Sequence, residues 1–245
     1  MRIFIDVGGH YGETLSFALD PQWGFDRIYS IEPCAACVAV LRSYSDKRLR
    51  IEPIALSDHN GTAELQGAGL RGGSLYAGKR VIERNEIVIR AETITLVRAS
   101  EWFAAEIPSG AEVFLKMNCE GSEVDILSDL LDSGELAKVG SAYIDFDIRK
   151  VAGQEHRQAE MEARLRAAGL RYVTPEEKGI TVATWLVRDC PPVKISWRQA
   201  LSHRLRLHAP MYARATNLAK LLLPRQLYWW IGHRYGRMAR NASKA

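Results

Sequence analysis

The 245-residue chain is long enough for one sizeable α/β domain with an appendage, and short for two full domains. Its 47% hydrophobic and 25% charged residues exclude a disordered or low-complexity protein, and no apolar run reaches the roughly 20 residues of a membrane-spanning helix. The net charge of +4 hides an asymmetry: basic residues continue to the end of the chain, but no acidic residue follows Asp189, so an acidic body precedes a strongly basic tail.

Short β-rich apolar runs alternate with helical patterns, the signature of a parallel α/β sheet. Strands are expected over 2–7, 27–31 and 49–55, with helices over 13–19 and 35–44 between them. From 62 to 96, Gly67, Gly69, Gly72, Gly73 and Gly78 mark an excursion of hairpins and loops beside the sheet, with extended chain over 85–96. A short helix capped by Ser100 covers 100–105, a buried strand 112–117, a helix 124–131 and a strand 142–148. A helix over 155–168 ends at Gly169. The runs 171–174 and 180–187 are expected as the last two strands, and the tight turn between them requires them to be antiparallel.

Pro191-Pro192 closes a domain of residues 1–190, leaving 191–245 as a basic amphipathic helical tail. Its apolar stripes are Trp197, Leu201 and Leu205; Met211, Ala215, Leu218 and Leu222; and Leu227, Ile231 and Tyr235, beside Trp229 and Trp230. Aromatic and apolar stripes with a Lys/Arg face suit an anionic membrane surface, or packing on the domain or a second subunit; nucleic acid is the weaker partner. The opening run is too short for a signal peptide, so a cytoplasmic body is expected, peripheral at the inner membrane surface if the tail binds lipid. Cys34 and Cys37 form a C-x-x-C without the second pair a four-ligand zinc site needs, and read as two small buried residues of one reduced protein.

Four motifs carry chemistry. Ile5-Asp6-Val7-Gly8-Gly9-His10-Tyr11-Gly12 ends a strand and opens a helix, where glycines admit close backbone approach of a ligand. Ile31-Glu32-Pro33 puts a carboxylate at the end of the second strand, at the interval expected of an acid that accepts hydrogen bonds from ribose hydroxyls. Ala55-Leu56-Ser57-Asp58-His59-Asn60-Gly61 runs from a strand end into a turn. Lys116-Met117-Asn118-Cys119-Glu120-Gly121-Ser122-Glu123 gathers polar side chains at the end of the fourth strand.

Together these resemble the FkbM-type methyltransferase family, whose pattern reads I-D-V-G-A-N-x-G, E-P, A-L-S-D-x-x-G and K-I-D-V-E-G-x-E. The resemblance implies a Rossmann-like class I methyltransferase sheet, mostly parallel with an antiparallel last strand. It also implies S-adenosylmethionine as cofactor and O-methylation of a sugar or natural-product hydroxyl. Asp6, Gly8, Gly9, His10 and Gly12 then correspond to the cofactor loop, Glu32 to the ribose acid, and Asp58 to a residue near the adenine. Lys116, Asn118, Glu120, Gly121 and Glu123 correspond to the strand-four motif. His10 stands where the family has Asn, Asn118 where it has Asp, and the chain opens directly at the first strand, without the lid of some relatives.

Methyl transfer to a hydroxyl needs a positioned base. The candidates are Glu120, Asp145, Asp147 and His10, with Glu120 and Asp147 favoured because strand alternation places Asp147 nearest the carboxyl end. A metal-assisted variant would use Asn118, Glu120 and Asp147 as oxygen ligands of Mg²⁺. The replacement at Asn118 also leaves open a non-catalytic cofactor-binding scaffold in a glycan pathway. A dinucleotide enzyme is disfavoured, because Gly8-Gly9-His10-Tyr11-Gly12 is not G-x-G-x-x-G. The segment from Gly67 to Gly78, with Arg71, Ser74 and Tyr76, is the expected acceptor wall.

Overall fold

The computed structural model describes residues 1–69, 73–75, 82–83, 86–87, 91–177 and 179–205. In chain order the elements are β1 (Arg2–Val7), α1 (Leu15–Ala18), β2 (Arg27–Ile31), α2 (Ala35–Leu41), β3 (Leu49–Glu52), β4 (Ala55–Ser57) and β5 (Gly61–Gln66). A two-stranded hairpin, β6 (Ile82–Glu83) and β7 (Glu86–Ile87), precedes β8 (Ala91–Arg98) and α3 (Ala99–Glu106). Then come β9 (Glu112–Met117), α4 (Glu123–Asp132), β10 (Val139–Ile144), α5 (His156–Ala167), β11 (Tyr172–Val173), α6 (Val182–Asp189) and α7 (Trp197–Arg204).

The main sheet has the order β11-β10-β9-β1-β2-β3, and every pairing in it is parallel. Strands buried on both faces must be apolar throughout, and Ile3, Phe4, Ile5, Val113, Phe114 and Leu115 are all buried at its centre. One face packs through Ile3, Ile5, Trp102, Leu127 and Leu165 against α3, α4 and α5. The other packs through Phe4, Phe25, Phe114, Leu15 and Trp185, which bring α1 and α6 onto the sheet. Strand order runs outward from β1 one way and from β9 the other, so the two central strands form a topological switch point, where open α/β sheets bind ligands beyond the strands' carboxyl ends.

The expected antiparallel last strand is a helix. Residues 182–189 form α6, begun by a capping box in which Thr181 and Thr184 satisfy each other's backbone amides. Trp185 and Leu186 are buried against the sheet, and the Trp185 indole donates to Ser141 Oγ at 2.8 Å. The expected strand over 142–148 stops at Ile144, and Asp147–Lys150 is a 3₁₀ turn. The run 49–55 is likewise two strands: β3 ends before Pro53, and Ala55 enters a second sheet of order β4-β8-β5. That sheet is the expected excursion; β5 pairs antiparallel with β8, β4 parallel with it. Ser100 lies within the first turn of α3 and caps nothing; its backbone amide instead donates to Asp129 Oδ2 at 2.7 Å.

The chain stays pinned to the body past Pro192. Arg2 Nη1 donates to Pro191 O at 2.9 Å, and Val193 N donates to Gln22 O at 2.7 Å. In the first tail stripe Trp197 and Leu201 are exposed on α7, and Leu205 is exposed at its C-terminal cap. The stripes from Met211 and Leu227 onward lie outside the described residues, as do Arg71 and Tyr76. Among the described residues no helix is long and apolar enough to cross a membrane.

Candidate functional site

A crevice of about 440 Å³ opens at the carboxyl ends of β1, β2, β9 and β10. Pairing of β1 with β9 in the register Val7↔Met117 sets Gly8 beside Asn118, whose amide donates to Val7 O at 3.0 Å. Gly8 has φ +79°, and a Cβ there would sit 1.8 Å from the Asn118 carbonyl oxygen; at Gly9 it would sit 2.2 Å from Ser30 Oγ. Only glycine allows the loop to lie this close to its neighbours. Side chains at these two positions would push the loop away from Asn118 and Ser30.

Beneath the loop, Lys116 Nζ lies 2.8 Å from Asp6 Oδ1 and donates to Gly8 O at 2.9 Å. Both side chains are buried, and burial raises the Asp6 carboxyl above its ordinary value while the Lys116 cation pulls it back. Lys116 reaches the crevice wall, but Asp6 and Gly12 lie behind it. Lys116 thus serves as a cationic post under the loop, with its ammonium already directed at protein oxygens.

Glu32 lines the crevice and is nearly fully buried. Its Oε2 accepts from His10 N at 2.8 Å and its Oε1 from Cys34 N at 3.0 Å, so the carboxylate is fixed by the two loops it joins. Burial pushes its proton affinity up, opposed by those two amides. His10 adopts φ 44°, and its Nδ1 is 3.0 Å from Glu13 Oε1. His10 Nε2 and Asn118 Oδ1 are shielded from solvent at the crevice without a hydrogen-bond partner in the protein. Buried polar atoms are almost always paired, so these two mark places for ligand groups. Ile54, Leu56, Leu65 and Ile94 give the crevice an apolar side, part of it contributed by the second sheet.

At the β9 end, Glu120 lines the crevice with φ 60°, a left-handed backbone that is rare for a residue with a side chain. Two neighbours hold it there. Ser74 Oγ donates to Glu120 O at 2.7 Å, and the buried Glu123 accepts from Cys119 N at 3.0 Å and Gly121 N at 3.1 Å. Burial pushes the Glu123 carboxyl up to about 7.

Asp145, not Asp147, faces the crevice beyond β10. Because the strand ends at Ile144, alternation no longer governs the two acids: Asp147 is buried in the 3₁₀ turn with Lys150 Nζ 2.5 Å away. Burial and the neighbouring Asp147 raise the Asp145 carboxyl, and Arg149 at 3.3 Å opposes them. The three expected Mg²⁺ ligands are therefore not brought together around the crevice. Among the described residues, the group of metal-ligating side chains within 4.8 Å of one another is Glu32, Cys34 and Cys37. Asp58 is exposed, pairs with His59 at 2.5 Å and lies outside the crevice lining.

Sequence reasoning missed several contributors to the wall besides the apolar side. Val182 reaches it from the unforeseen α6. Cys34 and Cys37 are buried as expected and also line the crevice; their place directly after Glu32 was the available signal.

The chain matches the model of the methyltransferase FkbM domain over residues 6–172, about two thirds of its length. A crystal structure of methyltransferase FkbM from Methylobacillus flagellatus KT is similar at 16% identity and a TM-score of 0.40, over 70% of this chain and 38% of that one. The chain thus spans little more than a third of that protein's length. No curated protein matches the chain.

Proposed function

The chain belongs to the FkbM methyltransferase family, and on that premise we propose that it is an S-adenosylmethionine-dependent O-methyltransferase acting on a hydroxyl of a glycan, glycolipid or related natural product. The observation that carries the reading is the convergence of the Gly8–His10 loop, Glu32 and the orphaned His10 and Asn118 atoms on one crevice that is also lined by two acids, Glu120 and Asp145.

In this reading Glu32 accepts hydrogen bonds from ribose hydroxyls, and the apolar side formed by Ile54, Leu56, Leu65 and Ile94 takes the purine. The Gly8–Gly9 loop lines the place of the amino-acid portion, with His10 and Asn118 as its polar partners. S-adenosylmethionine, when bound, supplies an electrophilic methyl group on a sulfonium. The acceptor hydroxyl must lose its proton as it attacks, and a positioned base contributes about 10²–10⁴-fold to such a step. Asp145 has the stronger claim, because burial and the neighbouring Asp147 raise its proton affinity; Glu120 is the second acid lining the same crevice.

Screening hydroxyl acceptors with isotopically labelled methyl donor tests this. Asp145→Asn is expected to lower turnover by about 10²–10⁴-fold with little change in cofactor affinity, and Glu120→Gln by a smaller factor. Full turnover in both variants would remove proton abstraction from this pair.

The tail supports a proposal about partners. α7 is tied to the body through His203, 3.4 Å from Asp20, while Trp197, Leu201 and Leu205 stay exposed beside a run of basic residues. We propose that this face enters an anionic lipid surface, bringing the crevice to a membrane-borne acceptor. Co-sedimentation with anionic and neutral vesicles checks it: the intact protein should pellet with the anionic ones, and Trp197→Ser/Leu201→Ser should weaken that binding. Equal recovery with both vesicle types would remove the membrane from the account.

A further inference from the structure

Cys34 and Cys37 are buried from bulk solvent, yet both open onto the crevice. Cys34 precedes α2 in an extended conformation and Cys37 lies in the first turn, so the two side chains return to the same end of the helix. Their sulfurs and a Glu32 carboxylate oxygen all lie within 4.8 Å of one another. The Cys37 thiol donates to the Cys34 sulfur, and that hydrogen bond holds the Cys34 thiol down to about 7 while Cys37 is pushed far above the ordinary thiol range. A proton held on one sulfur thus stabilises negative charge on its neighbour. The other two cysteines differ: burial raises Cys119 well above its ordinary value and Cys190 to about 11, and neither belongs to a comparable group. The pair also sits at a structural joint, since Leu65, Ala68, Ile94 and Leu96 of the second sheet and its turn pack against it.

We propose that Cys34 and Cys37 form a redox-active dithiol in the wall of the crevice, which a hydroperoxide converts to an intramolecular disulfide that weakens cofactor binding. The Cys34 thiolate attacks a peroxide oxygen; the O–O bond breaks, Cys34 becomes a sulfenic acid, and hydroxide leaves and takes up the proton the thiol had lost. The Cys37 sulfur then attacks the Cys34 sulfur, the S–O bond breaks, and the oxygen departs as water with the Cys37 proton. Two thiols lose two electrons, and hydrogen peroxide is reduced to two waters.

The effect on binding rests on the cofactor reading of Glu32. Cys34 N is one of the two donors that fix the Glu32 carboxylate, at 3.0 Å. Drawing the sulfurs to the covalent separation of about 2 Å moves the segment that carries this amide. The coupling is reciprocal, so a ligand in the crevice shifts the equilibrium toward the dithiol, and by covering the sulfurs that line the crevice it also slows their oxidation.

The test treats the intact protein with hydrogen peroxide in the presence of a chelator, then digests it with trypsin. Both cysteines fall in one peptide, residues 28–42. The expected product is this peptide two hydrogens lighter, restored by dithiothreitol, with S-adenosylhomocysteine affinity lowered tenfold or more in the oxidised protein and recovered on reduction. S-adenosylhomocysteine present beforehand should slow the mass change. Cys37→Ser should stop at a sulfenic acid on Cys34 that dimedone traps. Oxidation confined to Cys119 or Cys190, with peptide 28–42 unchanged, overturns the dithiol. A disulfide that forms without altering affinity overturns its coupling to the crevice. Reduced protein that ignores S-adenosylhomocysteine overturns the cofactor reading itself, while the peptide mass still judges the dithiol.

Discussion

The Lys116 ammonium has Asp6 Oδ1 at 2.8 Å and the carbonyl oxygens of Gly8 and Val7 at 2.9 and 3.4 Å, all beneath the crevice floor. Removing one member of a buried pair leaves the other charge uncompensated, at a cost of about 3–5 kcal/mol. Lys116→Met should therefore lose about that much stability in urea unfolding, and the double variant Asp6→Asn/Lys116→Met should recover part of it; strict additivity would contradict the pairing. Glu123 makes a pH prediction. Its carboxyl is raised from 4.5 to about 7 by burial, so between those values the folded protein holds a proton that the unfolded chain has released. Its contribution to stability is thus greatest below pH 4.5 and is lost as pH rises to about 7, by roughly 3 kcal/mol at about 1.4 kcal/mol per unit. Glu123→Gln keeps an acceptor for the Cys119 and Gly121 amides, and is expected to flatten that decline and leave the protein more stable above pH 7. An unchanged pH–stability profile would show that Glu123 titrates normally. At this scale the sequence marked Glu32, Glu120 and the glycines by their places at strand ends. It did not show that Lys116 and Asp6 neutralise one another, because that depends on the register of β1 against β9.

Among the elements, α6 departs furthest from what the sequence pattern suggested. Ile180–Val187 alternates well enough to read as a strand, but Val182, Trp185, Leu186 and Asp189 also recur at helical spacing, and the capping box decides in favour of the helix. Trp185 then packs within 6.2 Å of Phe4 and 6.3 Å of Phe114, ring centre to ring centre, on the face of the sheet opposite α4. Trp185→Ala should cost about 3–5 kcal/mol, and Thr181→Ala about 1 kcal/mol through the lost cap. Thermal unfolding checks both, and a Trp185 variant as stable as the parent would mean α6 is not part of the core. The central strands β1, β2 and β9 were legible to the residue, because parallel strands buried on both faces read as unbroken apolar runs. The strand ends at Ile144 and Glu52 were not, since what stops β10 and β3 is a 3₁₀ turn and a change of sheet, and neither has a period to read.

In the whole molecule, two features of the chain divide the work. The parallel sheet sets four strand ends around one crevice, and the small sheet of β4, β8 and β5 closes one side of it. The acidic body and basic tail are visible in the order of residues alone, whereas the extent of the body is not: Pro191 and Val193 still bond to Arg2 and Gln22. The central claim is that the crevice binds the adenosyl cofactor through Glu32. The most direct measurement is a calorimetric titration of S-adenosylhomocysteine into the parent protein and into Glu32→Ala, with NAD as a control ligand. The account predicts saturable binding of S-adenosylhomocysteine to the parent, none of NAD, and a loss of about 1–3 kcal/mol in the variant, as expected for buried hydrogen bonds to a charged acceptor. Equal affinity in parent and variant, or preference for NAD, would contradict it.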